Sequence, residues 1–257
     1  MRFLIINKLT ALSFLFLFSV LSTFPGNAAA EAIRHEVSYP TGQGPFPVVI
    51  TLHTSGGYER TRKWIENFKS KVWNDAGYAV YAPDFFERHG LTPRRRFETF
   101  SRYRKDIEKE LLDIVKIAKN NPKVDPRNVF AVGFSNGGFW ASFLAGSGRI
   151  NAGASHYGVW KANFGREIIN PYPMKYFSGA SSPVLALHGA NDGTQKIHHV
   201  EEAWSWAKDN GGKLITHIYP DADHAWDSKS KRFNAWDPKV KEDAFNRTLV
   251  FFKNHTR

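Results

Sequence analysis

The stretch Val129-Phe130-Ala131-Val132-Gly133-Phe134-Ser135-Asn136-Gly137-Gly138, continuing through Phe139 to Leu144, puts an apolar run, a G-x-S-x-G turn and a helical pattern in immediate succession. Four apolar residues ending at a glycine read as a buried strand, and the apolar stretch after Gly138 reads as the helix it feeds. A turn this tight between strand and helix holds Ser135 in strained backbone geometry and lifts its hydroxyl above the sheet edge. Gly133 and Gly137 leave room where a Cβ would collide. With Gly near 7% of residues, a random chain of this length would contain the pattern on the order of a tenth of a time. Its place at a strand end, opening a helix, is therefore what gives it weight.

Outward from this turn the same alternation continues. Val48 to Leu52, Tyr78 to Tyr81 and Val184 to Leu187 read as further buried strands, and Leu214 to Ile218 as a more alternating one. Between them, Trp64, Ile65, Phe68 and Val72 share a helical face before Gly77, and Ile107, Leu111, Ile114, Val115 and Ala118 share another before Asn120-Asn121-Pro122. Two more helices are predicted, from about Ile197 to Asn210 and over Val240 to Phe252. Regular alternation of this kind predicts one α/β domain over residues 31–257, a doubly wound, mostly parallel sheet with helices on both faces.

In such a sheet, chemistry collects beyond the carboxyl ends of the strands. A serine hydroxyl needs a base, and the base an orienting acid. The run Val184 to Leu187 exits into His188-Gly189-Ala190-Asn191-Asp192-Gly193, and Leu214 to Tyr219 exits into Pro220-Asp221-Ala222-Asp223-His224-Ala225-Trp226. Ser135, Asp192 and His224 thus follow three separate strands in the order nucleophile, acid, base. Asp221 and Asp223 sit nearer to His224 in sequence, but neighbours within one short loop reach the far ring nitrogen with difficulty. The plainer alternatives are a helix-capping Ser135, an Asp192 that serves an Asp-Gly turn, and a His224 that is an ordinary loop residue. For the oxyanion, the donors expected are the backbone N–H of Asn136 and that of Thr54, with Ser55 as the near alternative, in His53-Thr54-Ser55-Gly56-Gly57. His53 and His188 read as structural hydrogen-bonders rather than bases, and His198-His199 as a helix surface feature. Trp226 either fills the core or lines the acyl or alcohol pocket.

Together with Ala82-Pro83-Asp84-Phe85-Phe86, Ala190-Asn191-Asp192 and Asp223-His224-Ala225-Trp226, these segments resemble the α/β-hydrolase superfamily, and within it the dienelactone hydrolase-like esterases, from roughly Val37 to His255. The resemblance implies the α/β-hydrolase fold and hydrolysis of a small carboxylic ester. Dienelactone hydrolases proper use a cysteine nucleophile. This chain has Ser135 in that place and no cysteine anywhere, so the carry-over is to a serine esterase. A serine peptidase of the prolyl-oligopeptidase type and a non-catalytic binding module share the fold and are the alternatives.

The 257 residues carry a formal net charge of +11, and 42% of them are hydrophobic, enough for a sizeable core. The missing cysteine excludes disulfides, thiolate metal sites and a cysteine nucleophile together, and no H-E-x-x-H or other metal-ligand spacing occurs. No metal and no cofactor is expected. Residues 1–30 read as a cleaved secretory signal: Arg2 and Lys8, an apolar run from Leu9 to Leu21 too short for a comfortable span, then Pro25-Gly26 and Ala28-Ala29-Ala30 before Glu31. That predicts a secreted or periplasmic protein with no stable membrane insertion after cleavage. Between Arg88 and Lys105 seven basic residues face one acid, Glu98, a local sum of +6. The expectation is a solvated basic loop or, more sharply, that Arg94, Arg95 and Arg96 draw anionic esters toward Ser135. Nucleic acid is not an expected partner.

Overall fold

A computed structural model describes residues 32–60, 71–164, 167–169, 176–229 and 235–257. The expected signal at 1–30 and the face formed by Trp64, Ile65 and Phe68 lie outside the described residues.

Seven strands form one sheet in the order β1-β3-β2-β4-β5-β8-β9. They are β1 (His35–Ser38), β2 (Phe46–Leu52), β3 (Ala79–Pro83), β4 (Val124–Phe134), β5 (Ala152–His156), β8 (Val184–Gly189) and β9 (Leu214–Tyr219). β1 pairs antiparallel with β3, and every other pairing is parallel. A short antiparallel hairpin, β6 (Ala162–Phe164) and β7 (Glu167–Ile169), stands apart from this sheet. Helices among the described residues include Lys71–Asp75, Arg104–Asn120, Asn136–Gly146, Ile197–Asp209 and Pro238–Lys253.

The near-continuous apolar runs follow from burial on both faces. Val48, Ile50, Leu52, Val129 and Ala131 pack with Ile107, Leu111, Phe139 and Trp204 in one core. The alternate residues Val49, Phe130, Val132 and Phe134 pack with Trp73, Ala244, Phe251 and Phe252 in the other. With a period of two along each strand and helices on both sides, neither face can be polar.

β5 is the strand that its composition conceals. Ala152-Gly153-Ala154-Ser155-His156 has no bulky apolar residue, yet it sits in the middle of the sheet between β4 and β8. The reason is the close approach of helix Asn136–Gly146: a Cβ on Gly153 would lie 2.8 Å from the Ala141 carbonyl oxygen and 3.0 Å from the Ala145 methyl. Only small side chains leave room for that helix.

The same helix opens at the Gly133 and Gly137 turn. A Cβ at Gly133 would sit 1.9 Å from the Gly137 oxygen, and one at Gly137 would sit 2.2 Å from the Leu52 oxygen at the end of β2. Both contacts are with backbone, which cannot rotate away. Gly133→Ala is expected to lower unfolding free energy by about 3 kcal/mol or more, the upper range for overpacking. A urea unfolding midpoint within error of wild type would contradict this packing.

Candidate active site

Ser135 connects β4 to the helix with φ 54° and ψ −111°, outside the regions that L-residues populate comfortably. Such a conformation costs of the order of 1–3 kcal/mol and persists only where its surroundings enforce it. They do so from three sides. The Ser135 N–H donates to the His156 carbonyl at 3.0 Å, and the Ser135 carbonyl accepts from Gly138 N at 3.0 Å and Val159 N at 3.1 Å. The end of β5 thus holds the turn that β4 delivers.

The loops after β8 and β9 bring up the other two groups. They are tied to each other before they reach the serine: Ala190 N donates to the Tyr219 oxygen at 2.9 Å and Asn191 N to the Ala222 oxygen at 3.0 Å. Gly189 permits this contact, since a Cβ there would lie 2.2 Å from the Ala222 oxygen. The result is a relay of hydrogen bonds. Ser135 Oγ lies 2.9 Å from His224 Nε2, and His224 Nδ1 lies 2.8 Å from Asp192 Oδ2. An ionised carboxylate only accepts, so Nδ1 carries the proton and Nε2 is left to accept from the serine. Asp223 does not orient the ring; its Oδ1 accepts from the His224 and Gly193 amides at 2.6 and 3.2 Å, stapling the two loops together.

Asp192 is buried, and burial alone would push its carboxyl up. The hydrogen bonds from His188 and His224 reverse that and hold it well below the usual carboxylate range. Its other oxygen accepts from Thr194 N at 2.8 Å and Gln195 N at 2.7 Å. Behind His224, the buried Tyr157 ring stands edge-on at 5.1 Å, and its hydroxyl donates to Asp227 Oδ1 at 2.5 Å. Tyr157 itself has a φ of 38°.

The loop after β2 approaches the serine turn from the side. A Cβ at Gly137 would meet both Leu52 O and His53 O, which shows how closely the helix start abuts this loop. The Thr54 carbonyl accepts from His53 Nδ1 at 2.8 Å and from Gly57 N at 3.1 Å, while Thr54 Oγ1 accepts from Gly56 N at 3.1 Å. His53 is the structural hydrogen-bonder expected; it stacks on Phe85 at 3.8 Å with Nε2 3.6 Å from Asp84 Oδ1. Asn136 is the first residue of its helix, so its amide has no intrahelical acceptor. Its side chain donates to Arg96 O at 3.3 Å and Thr99 Oγ1 at 3.2 Å.

The packing decides between the two readings of Trp226, and it pairs part of the arginine cluster. Trp226 does not line an open pocket: it is 0% exposed, packed against Tyr157 at 4.7 Å and Tyr219 at 5.3 Å within the second core. The turn at Ala225, with φ 63°, lies between the two side chains and accompanies this inward placement beside His224. The arginine cluster is also less bare than its sequence. Arg95 is spent on Glu98 through two bonds of 2.8 Å, and Arg96 donates to the Pro93 carbonyl at 2.6 Å with its guanidinium over Phe97. Arg88 pairs with Glu110 on the following helix, and Arg104, the first residue of that helix, pairs with Glu108 one turn on. Arg94 remains exposed. The segment does pass beside the serine turn, by its backbone, through the Arg96 carbonyl. Among the described residues no group of three His, Asp or Glu side chains is arranged to hold a metal ion.

Because the Asp192 carboxyl is held below its ordinary value of 3.8, its contribution to folding is present above that pH and is lost as pH falls below it. Asp192→Asn should therefore be less stable near neutrality and show a shallower loss of stability between about pH 4 and pH 2 than wild type. Urea titrations at several pH values measure the slope. Equal slopes would remove Asp192 as an acid-sensitive element.

Comparison with known proteins agrees with this fold. The structure superposes on a candidate dienelactone hydrolase from Klebsiella pneumoniae subsp. pneumoniae with a TM-score of 0.70 at 22% identity, covering 85% of this chain and 92% of that one. A dienelactone hydrolase-like promiscuous phosphotriesterase from metagenomic libraries gives 0.69 at 18% identity, over 87% and 92%. These matches place the fold among the α/β-hydrolases. In sequence, dipeptidyl-peptidase 5 of Porphyromonas gingivalis is 27% identical over 208 residues, which is 67% of this chain but 30% of the peptidase. An uncharacterized peptidase of Bacillus subtilis is similar at 22% identity over 31% of its length, so the chain spans about a third of these relatives. The sequence profile of the dienelactone hydrolase family matches residues 33–256 without a break, and the chain therefore belongs to that family.

Proposed function

We propose that the protein is an exported serine hydrolase that cleaves small carboxylic esters through an acyl-enzyme. The observation that carries the reading is the unbroken Ser135-His224-Asp192 hydrogen-bond chain on a strained strand-to-helix turn. Ser135 Oγ attacks the ester carbonyl as its proton passes to His224 Nε2, and Asp192 stabilises the imidazolium. Charge building on the carbonyl oxygen is met by the Asn136 and Thr54 amides. His224 then returns the proton to the departing alkoxide, and a water activated by the same ring releases the acid. A family hydrolase with all three groups in hydrogen-bond reach is a poor fit to a non-catalytic binding module.

Peptide hydrolysis is a second reading, favoured by the similarity to the two peptidases. The same acyl transfer would serve an amide. What separates the two is the leaving group that the site accepts, so turnover of matched ester and anilide substrates distinguishes them. Export rests on residues 1–30, read as a cleaved signal. Among the described residues no helix is long and apolar enough to cross a membrane.

Ser135→Ala is expected to lower turnover of a short-chain aryl ester by roughly 10⁴-fold or more and to abolish labelling by a phosphonate probe, with an unchanged melting curve. Activity in that variant would overturn the serine mechanism. Arg94 is one of the exposed members of the basic cluster, and anion steering by it would make turnover of carboxylate-bearing esters fall with added salt more steeply than turnover of neutral ones. Identical salt dependence for both ester types would remove anionic substrates from the proposal.

A further inference from the structure

His188 ends β8 one turn of chain before the acid and is fully buried. Its Nε2 lies 2.8 Å from the Gln195 carbonyl oxygen and 3.2 Å from Asp192 Oδ2, the same oxygen that accepts from His224. Both neighbours of Nε2 are pure acceptors, a peptide carbonyl and an ionised carboxylate, so Nε2 must carry the proton. Among the described residues no hydrogen-bond partner reaches Nδ1, and the Trp204 ring stands edge-on at 6.3 Å. His188 therefore faces Asp192 and Gln195 with a single N–H donor.

From this arrangement we infer that His188 is a positioning residue that sets the strength of Asp192 as partner to His224. The inference rests on the Ser135-His224-Asp192 reading. One Asp192 oxygen, Oδ1, is taken by the amides of Thr194 and Gln195. The other is shared: His224 donates to it at short range and His188 at longer range. Each donor withdraws charge from the carboxylate. With His188 present, Oδ2 presents less negative charge to the His224 ring than a carboxylate bonded to His224 alone. Less charge means a weaker hold on the imidazolium, so His224 stays in its base form to lower pH.

The second half of the device is mechanical. His188 bonds the carbonyl of Gln195, whose amide bonds Asp192 and whose side-chain oxygen accepts from Trp160 N at 3.1 Å and Lys161 N at 3.2 Å. One buried imidazole thus pins the acid turn at its far end while touching the acid itself. Titratable groups that face His224 from other elements include Tyr157, edge-on from the end of β5, and Asp223 beside it, with Asp227 behind the tyrosine. None of these lies on the β8 loop, so their effect on the ring is common to wild type and to His188 variants.

The test is the pH dependence of kcat/KM on a neutral aryl ester for wild type, His188→Leu and His188→Gln, with Ser135→Ala beside them. Loss of the donor in His188→Leu leaves more charge on Asp192 facing His224, which favours the imidazolium. The acidic limb should move up by about half a pH unit, a roughly threefold loss on the acid side and little on the plateau. His188→Gln keeps an N–H at the reach of Nε2 and should restore the wild-type limb. A purely structural histidine would instead lower the melting temperature and the plateau with the limb in place, and that result overturns the inference. Should His188→Leu fail to fold, imidazole ¹⁵N shifts of the wild-type protein decide the matter: His188 must stay a neutral Nε2–H tautomer across the range in which His224 titrates. An Nδ1–H tautomer, or titration of His188 in that range, overturns it equally. Turnover by Ser135→Ala would condemn the serine mechanism itself, so the two failures are distinguishable.

Discussion

The left-handed turn at Ser135 is the constraint from which the rest of the site follows. A β-carbon-bearing residue at φ 54° is unstable alone, and the Ser135 N–H to His156 bond with the two amides on its carbonyl keeps it there. Those bonds require β5 beside β4, and β5 can sit there only because its residues are small enough to admit the helix that begins at Asn136. Two glycines complete the arrangement by letting backbone touch backbone at Gly133 and Gly137. Ser135 is thus placed by main chain, and its side chain is left to meet His224.

Asp192 and His224 are brought together by a different principle. Their loops bind to one another first, through Gly189, the Tyr219 and Ala222 carbonyls and the Asp223 carboxylate, and only then meet the serine. An acid and a base carried on a joint unit keep their mutual distance when the unit shifts as a whole. Tyr157 belongs to this unit too, since it reaches from the end of β5 to Asp227, three residues beyond His224. The buried carboxylates Asp192 and Asp227 are each met by hydrogen-bond donors, which is the condition for leaving charge in a protein interior.

Charge shows how sequence counting and folded structure diverge. The run from Arg88 to Lys105 sums to +6 as a string. In the fold, Arg88 finds Glu110 on the helix that follows, Arg104 finds Glu108 one turn along its own helix, and Arg95 closes on Glu98. Surface pairs of this kind add little stability. They do, however, mask the field that a bare cluster would project.

What the sequence determined by itself was whatever depends on local chain chemistry. Apolar runs that cannot face water announced four parallel strands of the sheet and the more alternating β9, and the glycine spacing around Ser135 announced the turn. The order of Ser135, Asp192 and His224 after three strands marked the candidate site, because parallel strands bring their carboxyl ends to one edge. Tertiary structure decided what depends on neighbours distant in the chain. β5 was hidden because small residues carry no hydrophobic signal, although packing against the helix demands them. Trp226 went to the core and Arg88 to Glu110, since a side chain's surroundings are set by which elements meet. The same holds for His188: read along the chain it is one histidine after a strand, and only the fold of the acid turn brings its N–H to the oxygen that His224 also binds.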